Sequence, residues 1–132
     1  MARIARFVQQ VIAEIGADGE VRTTGLTGVG VGDTVYRGVA RLAHSPEAAL
    51  QQLSPGDVLV VPCTTPAFNL VLSMAGAVVT SVGGALSHAA VLARELGIPA
   101  VVGAPTALSD IPDGAMVEVD PVAGVVRVVA RP

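Results

Sequence analysis

The sequence predicts an α/β domain with a central, partly parallel sheet, flanking helices and a second, small β layer. Three observations carry that prediction. Of the 132 residues, 52% are hydrophobic but only 2% aromatic, so the core must be built from Val, Leu, Ile and Ala. That composition suits β-branched strands packed on helices rich in Ala and Leu. Between Asp57 and Val102 the pattern runs strand, helix, strand, helix, strand, which favours parallel strands joined by helical crossovers. On either side lie stretches rich in Val and Gly that read as short strands of an antiparallel layer. The length fits one domain, large enough to bury a core without disulfides or metals.

The elements follow in order. From Ala2 to Ile15 the apolar residues Ile4, Phe7, Val8, Val11, Ile12 and Ile15 recur at helical spacing, and Gly16 is a stop. Residues 1–20 are therefore read as an N-terminal helix or linker, and residues 21–132 as the folded domain. Thr24 to Leu42 holds two or three short strands, with turns at Gly32-Asp33 and near Gly38. Ser45 caps a short helix that has Pro46 at its first position and runs to about Gln52. After the turn Pro55-Gly56-Asp57 comes a buried strand to Val61. Thr65-Pro66 opens a helix to about Met74, and Gly76 to Thr80 is the next strand. Ser87 to Leu96 is the strongest helix, ended by Gly97, and Pro99 to Val102 is a third strand. Met116 to Val119 and Gly124 to Val129 pair as a hairpin.

Composition also excludes function classes. A net charge of −3 and three aromatics, Phe7, Tyr36 and Phe68, argue against nucleic-acid binding, which wants a basic face and stacking platforms. No apolar run reaches membrane-spanning length, and the first residues lack the apolar centre of a signal peptide. The single cysteine, Cys63, forms no internal disulfide, so a cytoplasmic setting is expected, and Cys63 reads as a buried structural residue. His44, Cys63 and His88 are too scattered for a metal site, and none is expected. Gly28, Gly30 and Gly32 match neither the dinucleotide fingerprint nor a P-loop, and read as glycines in a crowded strand.

The chemistry concentrates in Thr80-Ser-Val-Gly83-Gly84-Ala-Leu-Ser87-His88-Ala89, followed by the rest of the helix through Arg94. A buried strand ends at Thr80, two glycines turn the chain, and a helix starts with His88 in its first turn. A helix N-terminus offers unpaired N–H groups and the positive end of the macrodipole, where phosphate is well held. A neutral imidazole nitrogen there is a competent nucleophile toward phosphorus. On the residues alone this is an anion site at a strand-to-helix turn, with a histidine that serves either as nucleophile or as an ordinary structural residue. Ser87 reads as the N-cap, Gly84 as a position where a side chain would crowd the turn, and Ala89 and Ala90 as space for a partner surface. Arg94 reads as an interdomain or phosphate contact.

The run Gly83-Gly84-Ala-Leu-Ser-His88-Ala-Ala-Val-Leu-Ala-Arg94-Glu95-Leu-Gly97-Ile-Pro99-Ala-Val-Val-Gly103 resembles the signature of the mobile domain of phosphoenolpyruvate-utilising enzymes. Members include phosphoenolpyruvate synthase, pyruvate phosphate dikinase, enzyme I of the sugar phosphotransferase system and rifampin phosphotransferase. The resemblance implies a swivelling β/β/α domain in which His88 is phosphorylated and Thr80 orients it, with Gly83, Gly84, Ser87 and Ala89 shaping the phosphate site. It implies a phosphoryl carrier, incomplete alone, that moves between an ATP-grasp nucleotide-binding domain and a substrate-binding domain. Mg and ATP or phosphoenolpyruvate would then sit on those partner domains and no cofactor on this one. The position two before the histidine is often Thr in the family and is Leu86 here, which is closer to the rifampin phosphotransferase and synthase branches. The alternative is a non-catalytic binding or regulatory module that keeps the fold, but such a module has no need of an intact Gly-Gly turn before a histidine.

Overall fold

The computed structural model describes residues 25–132, and the helix expected over residues 1–20 lies outside them. Eight strands are present: β1 (Leu26–Thr27), β2 (Val29–Val31), β3 (Tyr36–Leu42), β4 (Val58–Val61), β5 (Ala77–Thr80), β6 (Ala100–Val102), β7 (Met116–Asp120) and β8 (Val125–Ala130). The helices are α1 (Pro46–Gln52), α2 (Asn69–Met74) after a 3-10 turn at Pro66–Phe68, α3 (His88–Leu96) and a short α4 (Ala107–Asp110). Among the described residues the expected helices and strands occur within a residue or two, and α4 is an addition. Its single turn is too short to show a period in sequence.

All eight strands join one sheet in the order β1-β8-β7-β3-β4-β5-β6-β2. The centre, β3 to β6, is parallel, and the remaining pairings are antiparallel. This corrects the second β layer. The antiparallel strands are not a separate layer, because β3 pairs with β7 on one side and with β4 on the other. The two ends of the sheet, β1 and β2, are separated only by Gly28, so the sheet closes on itself as a barrel. Closure leaves no long open edge to attract another chain.

The glycines at the seam make closure possible. A Cβ on Gly28 would lie 2.5 Å from the Val102 carbonyl oxygen, and one on Gly30 would collide with the Pro121 carbonyl. The Gly28 N–H donates to the Gly124 carbonyl at 2.9 Å. Gly38, expected at a turn, instead sits inside β3 opposite Val117. Its missing side chain leaves room for the ring of Tyr36, whose hydroxyl donates to the Gly56 carbonyl at 2.6 Å.

Alternate residues of the central strands serve two cores. Val58, Val60, Ala77, Val79 and Val101 face the barrel interior, packed with Val117, Val119 and Val126 and with Ala107 and Ile111 from α4 and its end. Leu59, Val61, Val78, Ala100 and Val102 face outward against Ala49 of α1, Val71 and Leu72 of α2, and Ala89, Ala90 and Ala93 of α3. Burial on both faces explains why β4, and β5 up to Thr80, read as apolar runs without alternation.

Candidate functional site

The helices leave the site at the C-terminal end of the parallel strands, where sites lie in open and closed parallel α/β sheets alike. Two loops meet there, one after β4 (Pro62 to Thr65) and one after β5 (Ser81 to Ser87). The Val82 N–H donates to the Pro62 carbonyl at 2.9 Å and ties the loops together.

α3 begins at His88 because Ser87 caps it: its backbone is extended and its hydroxyl accepts from the Ala90 N–H at 3.3 Å. Gly97 ends the helix in the left-handed conformation. The small residues Ala89, Ala90 and Ala93 let α3 lie close on the sheet, which sets His88 at the rim, half-buried. Ser87 takes two of the first-turn N–H groups, those of Ala90 and Val91. Among the described residues the N–H groups of His88 and Ala89 have no hydrogen-bond acceptor. The start of α3 thus keeps free donors beside the imidazole.

The imidazole is held by a residue that the motif does not contain. Thr64 Oγ1 lies 2.7 Å from His88 Nδ1, and Thr64 is buried. Where the hydroxyl oxygen accepts from Nδ1–H, Nε2 carries the free lone pair. Thr64 is 24 residues from His88, and the only sequence signal for it is a threonine pair before Pro66, at the end of a buried strand.

Thr80 does other work than expected. Its hydroxyl donates to the Val82 carbonyl at 2.9 Å and accepts from the Gly103 N–H at 3.3 Å, so it braces the loop and does not touch His88. Gly103 belongs to the same brace, since a Cβ on it would run into the Gly83 carbonyl oxygen. Of the two turn glycines, Gly83 is the constrained one, with φ of +128° and Ser87 Cβ 3.1 Å from where its own Cβ would stand. Gly84 has nothing within 4 Å of that point, so the expected crowding at Gly84 is not found.

Ala89 and Ala90 are buried in the core and offer no room to a partner, because the close approach of α3 to the sheet consumes them. The exposed neighbours are apolar instead: Leu86 is 90% exposed, Val82 64% and Val91 42%. The Arg94 guanidinium turns back and donates to the Ala85 carbonyl at 3.0 Å, holding the same loop from the far side. Cys63 is exposed, contrary to the buried position expected, because at the end of β4 it is Thr64 that turns inward. No group of three or more metal-ligating side chains occurs among the described residues, and no described helix is long and apolar enough to cross a membrane.

Comparison with known proteins agrees with the motif. Residues 53–124 match the family described as "PEP-utilising enzyme, mobile domain". An uncharacterised phosphotransferase of Bacillus subtilis, YvkC, is 34% identical over 126 residues, covering 96% of this chain and 15% of that protein. The phosphoenolpyruvate synthase of Aeropyrum pernix is 44% identical over 99 residues, covering 75% of this chain and 12% of that protein. Among solved structures, an Enzyme I protein is similar with a TM-score of 0.51 and 37% identity, over 58% of this chain and 32% of that one. The chain therefore spans 12 to 15% of the length of these two curated relatives.

Proposed function

The chain belongs to the mobile-domain family of phosphoenolpyruvate-utilising enzymes, and from that premise we propose that it is a phosphoryl carrier working through His88. The observation that carries the proposal is the 2.7 Å contact between Thr64 Oγ1 and His88 Nδ1 at the start of α3. It fixes the ring, and with the proton kept on Nδ1 it presents Nε2 as the nucleophile. In the transfer the Nε2–P bond forms as the donor's P–O bond breaks, and the electron pair leaves on the donor oxygen. The free N–H groups of His88 and Ala89 receive charge from the incoming phosphoryl oxygens. A second transfer reverses these bonds toward an acceptor.

A carrier must visit two active sites, so the domain swivels as a rigid body between a nucleotide-binding domain and one that holds the other substrate. Those domains supply Mg and cationic side chains. The one arginine in the central motif, Arg94, is engaged with the Ala85 carbonyl.

The test replaces the matching segment of the Aeropyrum pernix phosphoenolpyruvate synthase with this chain and supplies 32P-labelled phosphoenolpyruvate. Acid-labile, base-stable label on the domain, absent in His88→Ala, is the expected result. No label, or label that survives acid or persists in His88→Ala, overturns the proposal.

A further inference from the structure

A cavity lies at the end of α3 remote from His88. It holds about 320 Å³ and sits between the last turn of α3 and the loop that joins β2 to β3. That size is at the small end of ligand pockets. Its floor is apolar, made by Val31, Ala93, Ile98 and Pro99, all but Ile98 fully buried. Its rim is exposed and carries opposite charges, Asp33 on the loop and Arg94 on α3. Among the described residues neither charge has an ion-pair partner, and the two do not pair with each other across the cavity. Asp33 accepts from the Thr34 hydroxyl at 3.2 Å. Arg94 gives one guanidinium nitrogen to the Ala85 carbonyl and keeps further N–H donors to spare. Gly97, in its left-handed cap, lines the α3 side without a side chain, and a Cβ there would meet nothing within 4 Å.

We propose that this cavity binds a free apolar α-amino acid, a site independent of the carrier reading of His88. The chemistry of the lining selects that class. A simple anion would engage Arg94 but face the Asp33 carboxylate, and a simple cation would meet the reverse conflict. A zwitterion satisfies both charges at once: its carboxylate takes the spare donors of Arg94 and its ammonium takes Asp33. The C-terminal end of α3 adds partial negative charge, which also favours the ammonium. The apolar side chain of the ligand then lies on Val31, Ala93, Ile98 and Pro99, where a polar one would lose its water without a partner. Arg94 already holds the Ala85 carbonyl, so a carboxylate bound to it acts on the loop that precedes His88.

The experiment titrates the 15N-labelled 132-residue chain with L-leucine and follows the backbone amides. Saturable movement of Gly32 to Thr34 and of Ala93 to Ile98 is the expected result, with the Leu86 amide moving alongside through Arg94. Three other probes separate the anchors: 4-methylpentanoate lacks the ammonium, 3-methylbutylamine lacks the carboxylate, and L-serine lacks the apolar body. Each is expected to bind about tenfold or more weakly than leucine. Asp33→Asn is expected to weaken leucine about tenfold and to leave 4-methylpentanoate within about twofold. Arg94→Gln is expected to weaken leucine about tenfold and to leave 3-methylbutylamine within about twofold. Both side chains are exposed, so the variants keep the fold. No saturable movement with leucine, or movement confined to other residues, overturns the site. Equal affinity for leucine and either single-charge probe overturns the zwitterion. An equal loss of every probe in Asp33→Asn or Arg94→Gln also overturns it, since the residue then shapes the cavity and anchors no charge. A cavity that fills while the Leu86 amide stays fixed overturns the link to the loop.

Discussion

Thr64 and His88 stand 2.7 Å apart although 24 residues separate them, because they leave the ends of neighbouring parallel strands, β4 and β5. On the carrier reading Thr64 is a positioning residue, whose hydroxyl restrains the ring through Nδ1. Thr64→Val keeps the shape and removes the hydroxyl. Phosphorylation of His88 by phosphoramidate is expected to slow roughly two- to tenfold, the worth of one hydrogen bond. The ring tautomer, read from 15N shifts of His88, is expected to change with it. Thr64→Ser retains both. An unaltered tautomer in Thr64→Val would remove Thr64 from the site.

The two turn glycines are not equivalent. Gly83 has φ of +128°, a conformation that side chains rarely adopt, and its Cβ would press on Ser87. Gly83→Ala is expected to cost about 1–3 kcal/mol in urea unfolding and to impair phosphorylation, because the N-cap of α3 moves. Gly84 faces open space, so Gly84→Ala is expected to change stability by less than about 0.5 kcal/mol. Equal costs at the two positions would refute this view of the turn.

What the sequence made legible follows from period and capping. β4, with four apolar residues, and β5, with three before Thr80, announce themselves because both their faces are covered, and α3 does so through Ser87 and Gly97. His88 was visible because its setting is local: a strand end, two glycines and a cap lie within nine residues. Thr64 was not, since its role depends on the register between two strands. The burial of Ala89 and the exposure of Cys63 are hidden for the same reason. Exposure at a strand end or on a helix depends on which face the neighbouring element covers, and a single chain does not display that. Barrel closure was hidden as well. It rests on β1 and β2 pairing with strands roughly 100 and 70 residues away, and no local pattern encodes such pairings.

The barrel seam offers a stability test independent of the site. A Cβ on Gly30 would meet the Pro121 carbonyl, a backbone group that cannot swing aside. Gly30→Ala is expected to destabilise the domain by more than about 2 kcal/mol, through overpacking against fixed backbone. Chemical unfolding measures it. A neutral result would mean that β2 is not pinned between β6 and the β7–β8 turn.

Alone, the chain should accept a phosphoryl group from phosphoramidate yet show no turnover with ATP or phosphoenolpyruvate. Phosphoryl transfer from such donors needs charge neutralisation around the transferring group and positioning of both reactants. The eight cationic side chains are all arginines. Among the described ones, Arg37 pairs with Glu118 and Arg41 with Asp57, both on the β3 side of the barrel. Arg94 holds the Ala85 carbonyl, and Arg127 and Arg131 lie on or just beyond β8. None of these contacts brings a guanidinium to His88. The Gly28, Gly30 and Gly32 series, the other place a nucleotide could be sought, is occupied by the barrel seam, where a Cβ at Gly30 would already collide. On the carrier reading, the described residues therefore supply a nucleophile, a hydroxyl beside it and the N–H groups at the start of α3, which amount to half a site. Isothermal titration with Mg-ATP is expected to give no binding heat, and the purified chain no ATP hydrolysis. Binding that survives Arg94→Ala and Gly30→Ala would place a nucleotide site elsewhere on the barrel.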